Sequence, residues 1–387
     1  MNIKDLDKKY IASTYNRFPV VAQSGKGSLI TDDRGRQYID MGSGIGVTAF
    51  GIADPVWTDA VTKQASALQH ASNLYYTEPC VKLAELLCKR TGMKKVFFSN
   101  SGAEANECAI KAARKYAQDK YGKKRCVIAT LSGSFHGRTL TTLAATGQDK
   151  FHELYTPLTE GFMSFDAGDI GALNEKTKDG TLAAVMIECI QGEGGVIPLE
   201  KAFVKELYEY CLENDILLIA DEVQTGNGRT GELYSYMNFG IKPDIVSTAK
   251  GLAGGLPMGA TMLGEKCENV FSFGDHGSTF GGNPVCAAAA LSIIERLDEK
   301  MLQSVRDKST YVFLSLENAK GIEAVTGMGL MVGIKTVKPA GEVIERCMKR
   351  GVLCLAAKDK VRLLPALNID DGLLKKAIET IKLVCAD

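Results

Sequence analysis

An excess of charge of either sign is missing: 46 Lys and Arg stand against 46 Asp and Glu in 387 residues. Such a chain has no global field with which to hold nucleic acid or an anionic membrane, so neither is expected as a partner. Long apolar runs are missing too. Lys, Asp, Glu or Arg interrupts every hydrophobic stretch well before the roughly 18–20 residues that a membrane span needs. Residues 1–10 carry Lys4, Asp5, Asp7, Lys8 and Lys9 where a signal peptide would have its apolar core. A cytoplasmic protein is expected. Histidine is scarce, with four residues, and the eleven cysteines stand singly from Cys80 to Cys385 without a Cys-x-x-Cys pair. Zinc-ligand spacing is therefore absent, no metal site is expected, and buried reduced thiols are expected in place of a disulfide framework.

What is present is the composition of a globular chain, 45% hydrophobic and 24% charged. At roughly 100–200 residues per domain, its length suggests two or three domains with a large core and a small-molecule ligand. Between about residues 60 and 260, short β-rich runs alternate with longer segments of helical period, the pattern of a mainly parallel sheet covered by helices. Strands are expected at 95–98, 126–131, 182–187, 216–220, 245–248 and 260–263, and helices at 104–121, 201–214 and 284–297. The segment Gly-Ser-Leu-Ile-Thr-Asp-Asp-Arg-Gly-Arg-Gln-Tyr-Ile-Asp near the start resembles a hairpin turning at Asp33, Arg34 and Gly35. The two chain ends are expected to form one smaller domain, from residues 1–59 and 284–387, beside a large domain of residues 60–283. No internal repeat or tethering linker is evident.

Parallel sheets bind ligands at the carboxyl ends of their strands, and three strand ends stand out. After 95–98 comes Ser99-Asn100-Ser101-Gly102-Ala103, leading into a helix whose unpaired first-turn N–H groups could seat a phosphate. Ser101 with Glu104 could equally be a capping box that only stabilises the helix. No Walker lysine follows. After 216–220, Asp221 and Glu222 arrive at the end of a buried strand, where a carboxylate needs a cationic partner: a protonated heterocyclic nitrogen, a structural ion pair or a metal. The Gly226, Gly228 and Gly231 cluster beyond them marks an irregular loop and no helix. After 245–248, Lys250 lies among Gly251, Gly254, Gly255 and Gly259. Most lysines are solvated, but one in an apolar pocket has a lowered pKa and a larger nucleophilic fraction, as Schiff-base chemistry requires. A phosphate seat, a carboxylate for a pyridinium and an amine for an aldehyde are together the three handles of pyridoxal phosphate.

With these motifs on view, the sequence resembles the class III pyridoxal-phosphate aminotransferases, the branch that works on terminal amino groups. Ser-Phe-His-Gly-Arg-Thr (134–139), Ile-Gln-Gly-Glu-Gly-Gly-Val (190–196), Gly277 to Leu291 and Arg-Leu-Leu-Pro-Ala-Leu (362–367) stand in the family's order, so the likeness covers essentially the whole chain. The resemblance implies the type I transferase fold, α/β, and a homodimer with sites shared between subunits. It implies pyridoxal 5'-phosphate bonded to Lys250, with Asp221 on the pyridine nitrogen and Gln224 on the phenolic oxygen. Phe135 would lie against the ring face, Ser101, Gly102 and Ala103 at the phosphate, and Glu222 and Val223 beside the ring. Thr279 of the neighbouring subunit would also reach the phosphate. It further implies N-acetyl-L-ornithine as amino donor, with its α-carboxylate on Arg138 near Ser278. The acceptor 2-oxoglutarate would be clamped by Arg362, which Glu193 holds until it enters. Donors such as 4-aminobutyrate, succinylornithine or ornithine are the alternatives.

There are departures from the family pattern. Ile45 stands where ornithine aminotransferases share a Tyr, which disfavours ornithine. Phe-Gly-Ile-Ala-Asp-Pro-Val-Trp (50–57) replaces the usual Gly-His-x-His-Pro, which leaves the local shape of the substrate entrance open, and Ala253 stands at a common Gly; neither position is expected to carry chemistry. An NAD-type oxidoreductase on a doubly wound sheet would need a dinucleotide glycine fingerprint, and the chain is expected to carry none.

Overall fold

A short helix, Ile3–Tyr10, is followed by three short strands, β1 (Ala22–Lys26), β2 (Leu29–Asp32) and β3 (Gln37–Asp40), in a computed structural model that describes residues 2–387. The β2–β3 turn is the expected hairpin. The Asp32 carboxylate closes it by accepting the backbone N–H groups of Arg34 at 3.0 Å and Arg36 at 2.8 Å.

The central sheet takes its strands from the alternating region: β4 (Lys95–Ser99), β5 (Val127–Leu131), β6 (Phe162–Phe165) and β7 (Leu182–Ile187). After the small ribbon of β8 (Ile190–Gln191) and β9 (Ile197–Pro198) come β10 (Leu217–Asp221), β11 (Ile245–Thr248) and β12 (Gly259–Leu263). Their order is β4-β12-β11-β10-β7-β5-β6, parallel except for β12, which runs against both neighbours. Strands covered on both faces read as unbroken apolar runs because each face needs its own core. In β10, Leu218 and Ala220 join one core with Phe203, Val204 and Leu207 of the Lys201–Glu213 helix. Leu217 and Ile219 turn to the opposite core, against Ala109, Ile110 and Ala113 of the Gly102–Tyr121 helix.

The C-terminal part supplies β13 (Ile322–Met328), β14 (Met331–Thr336), β15 (Val352–Leu353), β16 (Leu355–Ala357) and β17 (Lys360–Leu363). β15 pairs with β3, while β13-β14-β17-β16 form a separate sheet. The two chain ends thus share a sheet. Residue 59 falls inside the Pro55–Ala67 helix, and the Pro284–Ile294 helix buries Ala287, Ala290 and Ile293 in the core of the central sheet. That helix also ends before residue 297. Its last N–H groups tighten onto the third residue back, Arg296 on Ile293 and Leu297 on Ile294, and Asp298 then caps the next helix. No helix among the described residues is long and apolar enough to cross a membrane.

Candidate active site

The strand ends do converge. Ser101, Gly102, Ala103, Asp221, Val223 and Lys250, from the ends of β4, β10 and β11, line one cavity of about 430 Å³, together with Phe135, Arg138 and Gln224. Each sits there because a parallel sheet delivers all its strand termini to the same edge.

Lys250 starts a tight helical turn, Lys250–Ala253, at a left-handed φ of +44°. A side chain in that region of backbone space costs about 1–3 kcal/mol and persists only where its surroundings over-determine it. Burial lowers the amine from its usual 10.5 to about 8, with Glu193 and Asp221 opposing and Arg362 adding to the fall. A substantial fraction is therefore a neutral nucleophile near neutral pH.

Asp221, 4% exposed, is held by three donors. Its Oδ2 accepts Asn106 Nδ2 and His136 Nδ1, both at 2.8 Å, and its Oδ1 accepts the Val223 N–H at 3.0 Å. An acceptor-only carboxylate fixes the proton of His136 on Nδ1, and His136 Nε2 is buried without a partner. Burial alone would lower the His136 imidazole, but the hydrogen bond and charge of Asp221 outweigh it and leave it raised. Glu222, expected beside Asp221 at the cofactor, is a correction. Its carboxylate turns away from the cavity and accepts from Thr225, Ser235 and the Tyr236 N–H, because a fully buried charge needs that many donors.

Also in the cavity wall, Ser101 caps the Gly102–Tyr121 helix, its Oγ accepting the Glu104 N–H at 3.2 Å. The capping box is incomplete, since Glu104 reaches past the cap to the Asn100 N–H at 2.7 Å. The leading N–H groups of a helix have no partner within it, and at Gly102 and Ala103 they lie in the cavity wall. Gly102 also admits Val223: a Cβ there would stand 2.6 Å from Val223 Cγ1.

Arg362 comes from β17, outside the central sheet, and is nearly buried. Its Nη1 donates to Glu193 Oε1 at 2.5 Å and to Gln224 Oε1 at 3.0 Å, while its Nε is buried without a partner. Glu193 stands on the loop of the β8–β9 ribbon. Burial would raise its carboxyl, but the Arg362 guanidinium outweighs this and holds it below the ordinary range. Arg138 lies exposed at the rim, its guanidinium 5.5 Å from the Phe135 ring centroid and 4.6 Å from that of Phe151. Ser278 and Thr279 are not in the wall of this chain's cavity. Ser278 accepts Asn100 Nδ2 at 3.2 Å beside it, and Thr279 is exposed.

Three residues of the site went unread in the sequence. Glu188 follows β7 directly and lines the cavity, its carboxylate accepting the N–H groups of Phe135 at 2.9 Å and Gly192 at 3.2 Å. Burial drives it up to about 7, with His136 opposing and Asp221 adding. The strand-end rule that found Asp221 would have found it. Asn106 is the polar break in the apolar face of its helix, and His136 lies inside a motif already noted. The stretch at 50–57 supplies no cavity wall; Ile52 instead exchanges two backbone hydrogen bonds with Gly27, both at 2.8 Å. The absence of a dinucleotide fingerprint also needs correction. Gly226-Asn227-Gly228-Arg229-Thr230-Gly231 has the Gly-x-Gly-x-x-Gly spacing, yet it runs in turns packed on Leu297 and Arg306 and opens no helix that could receive a pyrophosphate.

A family model for class III aminotransferases matches residues 10–385. The chain belongs to this family. Acetylornithine aminotransferase of Haemophilus ducreyi is 46% identical over all of this chain and 98% of its own length, and that of Methanocaldococcus jannaschii is 43% identical over 95% and 93%. N-acetylornithine aminotransferase from Stenotrophomonas maltophilia superimposes with a TM-score of 0.85 at 35% identity, covering 99% of this chain and 98% of that one. Ornithine aminotransferase from Toxoplasma gondii reaches 0.94 at 29% identity, covering 99% and 94%, and a second structure of it has PLP at partial occupancy in the active site.

The residues present suit such a cofactor. Lys250 is half-buried in the cavity wall, and its amine feels the loss of water and the neighbouring charges of Glu193, Arg362 and Asp221. The cavity is lined both by a helix start able to receive an anion and by a fixed carboxylate able to face a cation.

Proposed function

We propose that this aminotransferase moves the δ-amino group of N-acetyl-L-ornithine to 2-oxoglutarate, yielding N-acetyl-L-glutamate 5-semialdehyde and L-glutamate, a step of arginine biosynthesis. The observation that carries the reading is the meeting of the Lys250 amine with Asp221 and Gln224, the latter bonded to Arg362, around one cavity. The substrate rests on the full-length sequence likeness to acetylornithine aminotransferases, since by backbone alone an ornithine enzyme superimposes with the higher TM-score, 0.94 against 0.85.

Ser101, Gly102 and Ala103 would hold the phosphate of pyridoxal 5'-phosphate, Asp221 its ring nitrogen, Gln224 its phenolic oxygen and Phe135 a ring face. When bound, that group supplies an aldehyde for amine exchange and a pyridinium that accepts carbanion electrons. Asp221, fixed in place by the donors around it, would face the ring nitrogen and hold its proton there. Lys250 Nζ, neutral in part near pH 8, takes the proton from the δ-carbon of the donor and returns one in the reverse half-reaction. Arg138 at the rim binds the donor's α-carboxylate. Arg362 offers a planar fork to the α-carboxylate of 2-oxoglutarate. Glu193 occupies that fork while the donor is bound and releases it to the dicarboxylate, so one site serves both substrates.

Two copies would complete the site, with Thr279 of each reaching the other's phosphate seat. The exposed apolar side chains of Leu74, Tyr76 and Phe280 near it support such a contact. The eleven free thiols suit the reducing cytoplasm.

Comparing kcat/KM for acetylornithine, succinylornithine, ornithine and 4-aminobutyrate with 2-oxoglutarate as acceptor tests the substrate. Acetylornithine should lead, and a clear win for 4-aminobutyrate would overturn that choice while leaving the chemistry intact. Lys250→Ala should abolish both turnover and the absorbance of lysine-bound cofactor. Normal turnover in that variant would overturn the assignment of Lys250.

A further inference from the structure

Trp57, the single tryptophan of the chain, sits in the first turn of the Pro55–Ala67 helix, inside the stretch that departs from the family pattern. Its base is rigid. The Trp57 N–H donates to Asp54 Oδ1 at 2.9 Å, and Asp54 is paired with Arg296 at 2.8 Å, whose guanidinium lies 4.0 Å above the Phe50 ring. From there the indole reaches the Lys250 turn: Nε1 donates to the Ala253 carbonyl at 2.9 Å. Ala253 closes that turn, and Gly254 and Gly255 follow at φ of +60° and +134°. A Cβ on Gly254 would stand 3.0 Å from both Trp57 Nε1 and Ile293 Cδ1, so the backbone here is gripped from two sides.

The grip falls where the chain needs it. A turn that begins with a left-handed lysine holds its shape only if its neighbours impose it. The other bond to the Ala253 carbonyl is the Leu256 N–H at 3.4 Å, beyond the usual range. The indole N–H is therefore the strong tie at the end of the turn. Lys250 and Gly255, before and after this tie, both line the cavity, whereas Trp57 does not.

We propose that Trp57 is a positioning residue for Lys250: its indole N–H, with the ring packed on Gly254, sets the turn from which the amine enters the cavity. The inference deepens the proposed function and rests on Lys250 being the amine that bonds the cofactor. Trp57→Phe keeps an aromatic ring and removes the donor. In the holoenzyme its kcat should fall about tenfold while both KM values stay within about twofold, because misplacing a reacting group lowers rate more than binding. An unchanged kcat, or KM values that rise while kcat holds, overturns the inference. A wild-type measurement covers failure of the variant to fold. With ¹⁵N-tryptophan labelling the protein has one indole signal, which should exchange slowly with solvent and shift when pyridoxal 5'-phosphate is added to cofactor-free protein. Exchange as fast as in the unfolded chain overturns the inference. Lys250→Ala separates the two readings. Normal turnover there sinks the lysine assignment itself, whereas an inactive Lys250→Ala beside a normal Trp57→Phe sinks the role of Trp57 alone.

Discussion

Lys250 titrates near 8 because its amine is desolvated, and that has two measurable consequences at the scale of the residue. Capture of pyridoxal phosphate by the cofactor-free protein needs the neutral amine, so its rate should rise with pH and level off above about 8. A pH-independent rate between 6.5 and 9 would contradict the lowered pKa (~8) and the nucleophilic role. Stability follows the same group. Below about 8 the amine is charged both folded and unfolded, and between about 8 and the ordinary 10.5 only the unfolded chain holds the proton. The unfolded state then binds more protons, so the contribution of Lys250 to the stability of the cofactor-free protein rises with pH across that window. Glu193 makes a second prediction. With Glu193→Ala the Arg362 fork loses its resident carboxylate, and single-turnover kinetics should show the half-reaction with the amino donor slowed more than the half-reaction with glutamate. Equal losses in both would mean that Glu193 does not act through Arg362.

At the scale of elements, the Gly102–Tyr121 helix connects stability to binding. Ser101 caps it through the Glu104 N–H, so Ser101→Ala should cost about 1 kcal/mol in denaturant unfolding of the cofactor-free protein. The same change should weaken the affinity for pyridoxal phosphate, because the cap orders the N–H groups that would receive the phosphate. A stability loss with unchanged cofactor affinity would make Ser101 a cap and nothing more. The β8–β9 ribbon does comparable work for Glu193 and Arg362. Ile190 at the start of β8 and Val196 just before β9 join Met331 and Leu364 in a small core of their own, which ties the Glu193 loop to the strand that carries Arg362.

For the whole molecule, an exposed Thr279 beside an apolar patch makes a prediction about assembly. If sites are shared, Lys250→Ala and Thr279→Ala chains refolded together form hybrids with one intact site. Random pairing then yields roughly a quarter of wild-type activity. Activity no higher than the mean of the two separate variants would show that each chain's site stands alone. The chain's local patterns were enough for most central strands, since each is an apolar run of strand length, and for bringing Lys250, Asp221 and Ser101 to one cavity, since each follows such a run. They did not reveal β6, an edge strand of four residues with one side half-exposed. Nor did they show that Glu222 would turn inward to Ser235 or that His136 would reach Asp221 across 85 residues. The Trp57 bond to Ala253 spans 196 residues. Periodicity and strand ends are short-range properties, written in consecutive side chains, whereas the partner of a buried polar group is settled only when distant segments pack and each must find a donor or acceptor there.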